Sequence, residues 1–219
     1  MIVRPIVTCE HAGNSIPRPY AKLFSGKAKL LASHRGYDIG ALPLARALAR
    51  AFGCPLHFTT VSRLLVDCNR LRESSNLFSE VTRRLDVAER EWIVARFYDQ
   101  YRREVEDDIA ATIAAGAVAL HFSVHSFTPV LGGRKREADI GLLYDPARAV
   151  EREFCKRLAP LLARELPGLK IRMNYPYKGS SDGLTTYLRK KFPEKSYLGI
   201  EIEANQAMLA KRGRKILTR

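Results

Sequence analysis

The sequence predicts an α/β protein with a parallel-rich sheet covered by helices on both faces, and three observations predict it. Apolar runs rich in Val, Ile and Leu alternate with longer stretches of helical period. Those runs read as strands buried on both sides. Gly and Pro stand singly at the ends of these segments, with no internal repeat or low-complexity tract.

Taken in order, the first strand is expected at 2–8 (IVRPIVT). Residues 39–52 follow as a helix, with Ile39, Leu42, Ala45, Leu48 and Phe52 on one face and Gly53 as its stop. A second strand, 55–61, precedes a long helix over 87–114. That helix is opened by Asp86 with Glu89 three positions on, a capping-box variant, and it carries Ile93, Phe97, Tyr101, Val105 and Ile109 every four residues. Strands at 117–124 and 139–144 come next, then a helix at about 147–165 with Val150, Phe154, Leu158 and Leu161 as its stripe. The last two strands are 169–173 and 197–203. All three helical stripes are assigned to the core. Two polar, glycine-bearing loops, 125–138 and 174–187, are placed where open α/β sheets bind ligands, beyond the carboxyl ends of strands.

The 219 residues, 46% of them hydrophobic, suffice for a single domain spanning 1–219. No run of about 18 apolar residues suggests a membrane span, and MIVRPIVTCEH lacks the layout of a secretory signal, which points to the cytoplasm. Cys9, Cys54, Cys68 and Cys155 are scattered without CxxC spacing and read as reduced, mostly buried thiols. Cys9, beside Glu10 and His11, has two readings, a nucleophile or a small residue closing a buried strand. The net charge of +14 first suggests nucleic acid. Its basic residues are dispersed, however, and the densest cluster, Lys211, Arg212, Arg214, Lys215 and Arg219, reads as a solvated tail. A positive field equally gathers a small anionic substrate.

Parallel strands bring their carboxyl ends to one edge, so the ionisable residues that follow them are the candidates for chemistry. The first strand delivers Glu10 and His11, the second Arg63, Asp67, Asn69 and Arg70, the third His125 and Ser126, and the last Glu201 and Glu203. Asp38 opens the first helix. Two imidazoles and a carboxylate, His11, Asp38 and His125, match a catalytic zinc site with a position left for water. His57 and His121 lie inside strands and read as hydrogen-bonded structural residues, and His34 stands as a substitute ligand or an orienting group. Glu201 and Glu203 project to one face. Carboxylates in a buried strand need compensation, which a metal, a substrate cation or an arginine would provide.

The strings TCEHAGNSIP, HRGYDIGA, SRLLVDCNR, VHSF, NYPYKG and GIEIEANQ, in that order, resemble the N-formylglutamate amidohydrolase family from about residue 5 to about 206. The resemblance implies a three-layer α/β/α sandwich with a mixed, mostly parallel sheet, related to the zinc-dependent exopeptidases. It also implies hydrolysis of an N-acyl amino acid, typically N-formyl-L-glutamate. A more distant likeness to zinc-dependent peptidoglycan amidases implies the same ligands and places a catalytic acid at Glu201. Two departures stand out. GIEIEANQ has two acids where the deformylases of histidine breakdown have one, with Glu201 favoured as the base, and the Cys-Glu-His sequence leaves Glu10 without a family role. The chain is more similar to the broad branch of the family than to the histidine-pathway enzyme.

The expected activity is therefore a metal-dependent amide hydrolysis, with Zn²⁺ or another divalent transition metal on His11, Asp38 and His125 and Glu201 as the proton shuttle. Arg63, Asn69 and Arg70 are expected to bind substrate carboxylates, with Asp67 orienting an arginine. Asn14, Ser126 and Lys178 are further candidate substrate contacts, with Ser180 beside them. Two alternatives remain at this point: an inactive basic module that binds nucleic acid or another polyanion, and a cell-wall amide hydrolase.

Overall fold

The computed structural model describes residues 2–217, with side chains as far as Lys211. Beyond Lys211 the side chains of the terminal basic cluster lie outside the described residues, so its reading as a solvated tail is not addressed. The strands are β1 (Val3–Cys9), β2 (Leu56–Phe58), β3 (Val118–Phe127), β4 (Val130–Leu131), β5 (Arg134–Lys135), β6 (Ile140–Leu143), β7 (Ile171–Met173) and β8 (Tyr197–Asn205). Six of them form one sheet in the order β2-β1-β3-β8-β6-β7. The first four of that order are mutually parallel, while β6 pairs antiparallel with β8 and parallel with β7. β4 and β5 make a separate small hairpin in the loop that follows β3.

The helices are α1 (Ala28–Leu31), α2 (Ala41–Phe52), α3 (Val87–Ile93), α4 (Gln100–Ala114), α5 (Ala149–Glu165), α6 (Leu184–Lys191) and α7 (Gln206–Leu217), with a 3₁₀ turn at Arg18–Phe24. Two apolar clusters divide them between the faces of the sheet. One joins Ile6, Ala119 and Tyr197 to α3, α4 and α6 through Ile93, Val105, Ile109, Leu184 and Leu188. The other joins Val7, Phe122 and Ile200 to α2, α5 and α7 through Ala45, Cys155 and Met208. The fold is thus the expected three-layer sandwich, and among the described residues no helix is long and apolar enough to cross a membrane.

The expected elements are present, with differences that have physical reasons. α2 stops at Gly53, whose left-handed φ of 59° suits glycine. Its buried face is Ala41, Leu44, Ala45 and Ala49, whereas Ile39 and Phe52 are exposed. Small alanines let this helix lie close to the sheet, and the bulkier residues fall at its margin. α5 differs likewise. Val150 and Leu161 are exposed, and the face turned inward centres on Cys155 and Glu151. Glu151 is buried because Arg189 Nε donates to both its oxygens at 3.0 Å and the Gly199 amide donates at 3.1 Å. β2 ends at Phe58 rather than 61, whereas β3 and β8 run on to Phe127 and Asn205.

The long helix over 87–114 is interrupted. Asp86 caps it by accepting from the Glu89 amide at 2.8 Å, but Val94–Asp99 forms a π-helical turn between α3 and α4. The every-four spacing explains it. In an α-helix each four-residue step overshoots a full turn by about 40°, so the stripe would wind away from the sheet. A π turn takes up the extra residue. Ile93, Tyr101, Val105 and Ile109 are all buried.

Candidate active site

Strand alternation decides which side chains meet. On the face covered by α4 and α6, β1 presents Ile6, Thr8 and then Glu10 just past its end; β3 presents Ala119, His121, Ser123 and His125; β8 presents Tyr197, Gly199, Glu201 and Glu203. The register pairs Ser123 with Glu201 and His125 with Glu203. This one face is therefore apolar at its amino end and turns polar toward its carboxyl end. A cavity of about 260 Å³ opens at that end and is lined by His11, Asp38, Arg63, His125, Glu201 and Glu203, among others.

His11, Asp38 and His125 are all buried, and one donor atom from each lies within 4.8 Å of the others. His11 follows β1, His125 lies inside β3 rather than past it, and Asp38 sits ahead of α2, its amide bonded to the His11 carbonyl at 3.0 Å. The Nδ1 atoms of His11 and His125 both face Asp38 Oδ2, at 3.4 and 2.9 Å. Their Nε2 atoms point away into carboxylates: Asp67 Oδ1 at 2.7 Å from His11, and Glu10 Oε2 at 3.0 Å from His125. Two imidazole nitrogens, a carboxylate oxygen and an open cavity beside them fit a divalent transition metal of the catalytic type.

Charges are compensated within this cluster. Burial would raise Asp38 and Asp67, but His11 and His125 hold the first below the usual carboxylate range, and Arg63 and His11 hold the second there. Burial likewise disfavours the charged His125, yet its hydrogen bonds to Asp38 and Glu10 lift it well above an ordinary imidazole. The two acids on β8 are different. Burial pushes Glu201 up, opposed by His125 and by the Thr185 hydroxyl, which donates to Oε1 at 2.5 Å. Burial pushes Glu203 up to about 8, helped by the charges of Asp38 and Glu201. Glu203 Oε2 is buried without a hydrogen-bond partner among the described residues.

Most of the other expected site residues line the cavity. Arg63 lines it, with Nη2 and Nε bonded to Asp67 Oδ2 at 2.7 and 3.1 Å. Arg63 and Asp67 thus orient each other and, through Asp67, His11. Arg70 and Lys178 line it too, Arg70 Nη1 donating to the Asp182 carbonyl at 3.2 Å. Asn69 bridges, its Oδ1 accepting from the Leu184 amide at 2.7 Å and its Nδ2 lying 3.3 Å from His125 Nε2. The Ser126 hydroxyl donates to the Ile39 carbonyl at 2.9 Å. His34 stands at the rim, exposed and outside the three-residue cluster.

Asn14 is a correction. It is exposed, does not line the cavity, and donates to the Leu31 carbonyl at 3.1 Å, because the chain turns away along Thr59 and Thr60 after Ala12. Gly13 serves that turn, since a Cβ there would lie 2.8 Å from Thr60. Cys9 is fully buried and burial pushes its thiol well up, which suits a small strand residue and not a nucleophile. His57 pairs with Asp108 at 2.8 Å, and His121 sits between Thr8 and Tyr197 at 2.8 Å from each, both structural as read.

Sequence reasoning missed Thr185 and Tyr101 and gave Ser123 no role of its own. Tyr101 carried a signal, as a polar-tipped residue in an otherwise apolar stripe, and so did Ser123, two residues before His125 on the same strand face.

Comparison with known proteins places the chain among relatives. The sequence profile of the N-formylglutamate amidohydrolase family matches residues 3–210. No curated protein matches. Among solved structures, the gene product Atu2144 from Agrobacterium tumefaciens superposes with a TM-score of 0.80 at 32% identity, over 98% of this chain and 88% of that one. An N-formylglutamate amidohydrolase from Ralstonia eutropha JMP134 superposes with a TM-score of 0.62 at 19% identity, over 99% and 91%, and shares the fold.

Proposed function

The chain belongs to the N-formylglutamate amidohydrolase family and is an amidohydrolase; from that premise we propose that it cleaves the amide bond of a small N-acyl amino acid, N-formyl-L-glutamate being the reference compound, at a metal centre held by His11, Asp38 and His125. The observation that carries this reading is the convergence of those three donors beside the cavity into which Glu201 and Glu203 also face.

A divalent transition metal held there, Zn²⁺ by its donor set, supplies Lewis-acid polarisation of the acyl carbonyl and acidifies a water. The chain's own groups do the rest. Glu201 takes a proton from the attacking water and passes it to the leaving amine, while its Oε1 stays anchored by Thr185. As the C–N bond breaks, water supplies the hydroxyl of the released acid and the amine leaves protonated. Lys178 and Arg70, at the cavity wall, bind the substrate carboxylates. Asp67, held by Arg63, keeps His11 oriented.

The test is to strip the purified protein with a chelator, assay release of the acid from N-formyl-L-glutamate and a panel of N-acyl amino acids, and restore Zn²⁺. Activity that vanishes and returns is expected, as is its loss in His125→Ala. Turnover indifferent to chelation and unchanged in His125→Ala overturns the proposal.

A further inference from the structure

Glu10 is a carboxylate beside the site to which the proposed reaction gives no work and which, unlike Glu203, does not face the cavity. It is buried, 1% exposed, and does not line the cavity, so it meets neither substrate nor water there. It neighbours His11 in sequence but serves the other imidazole. Glu10 Oε2 lies 3.0 Å from His125 Nε2 and accepts from the Ser123 hydroxyl at 2.7 Å; Oε1 accepts from the Tyr101 hydroxyl at 2.8 Å.

Asp67 makes the equivalent contact to His11, in a different electrostatic setting. Its charge is shared with Arg63 at 2.7 Å and with Arg70 at 3.7 Å. The Glu10 partners above are two neutral hydroxyls and the imidazole itself. A carboxylate that accepts an imidazole N–H fixes the tautomer and makes the opposite nitrogen a stronger donor. More of that effect survives where no guanidinium draws off the charge.

We infer that Glu10 is a positioning residue for the metal centre proposed above, on which this inference rests: it holds His125 as the Nε2–H tautomer with the Nδ1 lone pair turned toward Asp38, and it contributes more to metal affinity than Asp67 does. Tyr101 and Ser123 in turn hold Glu10, which gives the π turn ahead of α4 a place in the site's architecture. A purely packing role would instead cost stability and leave metal affinity alone.

The experiment is a competition titration of Zn²⁺ and Co²⁺ against a chromophoric chelator, on the full chain, for wild type, Glu10→Gln, Asp67→Asn and Tyr101→Phe. Glu10→Gln should weaken binding by roughly 10–100-fold, Asp67→Asn by less, and Tyr101→Phe, which keeps the carboxylate, by about threefold at most. Glu10→Gln within twofold of wild type, or a loss no larger than that of Asp67→Asn, overturns the inference. Should Glu10→Gln fail to fold, ¹⁵N NMR of the Zn²⁺-loaded wild type still decides. His125 protonated at Nε2 supports the inference, and protonation at Nδ1 overturns it. A wild-type chain that binds neither metal overturns the centre itself, a result distinct from failure of the Glu10 role.

Discussion

The Thr185 hydroxyl donates to Glu201 Oε1 across 2.5 Å, joining the first turn of α6 to the acid at the middle of β8. Burial raises the Glu201 carboxyl and this hydrogen bond lowers it, so the two oppose each other. In Thr185→Val this hydrogen bond is gone, the charge of His125 alone remains among the site's groups to oppose burial, and the carboxyl rises further. The acid limb of the kcat/KM–pH profile should move to higher pH. A limb that stays in place would show that Glu201 is not the group being titrated.

Glu203 predicts a pH dependence of stability in the metal-free protein. Its carboxyl stands at about 8 in the folded chain, against 4.5 for an ordinary glutamate. The folded state therefore keeps a proton that the unfolded state releases. The stability this confers is fully present below about 4.5 and is lost as pH rises through about 8. Glu203→Gln has no such proton to lose. Its Tm relative to wild type should climb between about pH 4.5 and about pH 8 and level off above that, and a constant difference would rule the effect out.

The π turn at Val94–Asp99 supplies a third prediction. Deleting the exposed Ala95 removes the residue that this turn takes up, so a continuous α-helix forms and Tyr101, Val105 and Ile109 keep the sheet face they are buried against. Tm should fall by only a few degrees. Deleting the exposed Arg103, inside α4, has no such slack: it rotates Val105 and Ile109 by about 100° away from that face and should cost several kcal/mol, lowering Tm by roughly 10 °C or more. Ala95→Ser, which changes the side chain but not the phase, should leave Tm nearly unmoved.

Gly179 predicts a split between kinetic constants. A Cβ there would stand 2.2 Å from the Tyr144 backbone nitrogen, so the loop carrying Lys178 would have to shift. In Gly179→Ala, KM for an N-acyl amino acid should rise about tenfold while kcat falls less, the pattern of lost substrate binding. An unchanged KM would remove Lys178 and its loop from substrate recognition.

How far the site was legible depends on what kind of signal each residue left. His11 and His125 follow or occupy strands whose apolar runs are unmistakable, parallel pairing brings such positions to one edge, and Asp38 stands just ahead of α2. The partner of each imidazole is a different matter. Glu10 reaches His125 and Asp67 reaches His11 through contacts between distant segments, and no periodicity encodes them. The face of α2 was misread for a local reason. Hydrophobic bulk marks Ile39 and Phe52 in the sequence, but close approach to a sheet favours small residues, and Ala41, Ala45 and Ala49 take the buried positions. The every-four stripe over 93–109 was visible, but not the π turn it demands. Asn14 was drawn into the candidate site by its neighbours in sequence alone.

The place of β8 in the sheet has a consequence for how the protein is made. It comes last in the chain among the six strands of the sheet, yet it lies between β3 and β6 and joins two halves that do not otherwise pair among the described residues. Until the ribosome has delivered Tyr197–Asn205, the nascent chain presents two open edges, one on each half, as templates for intermolecular pairing. A chain cut short before Tyr197 would lack the acids of the active site and also the strand that closes its sheet, and should be recovered from cells as aggregate.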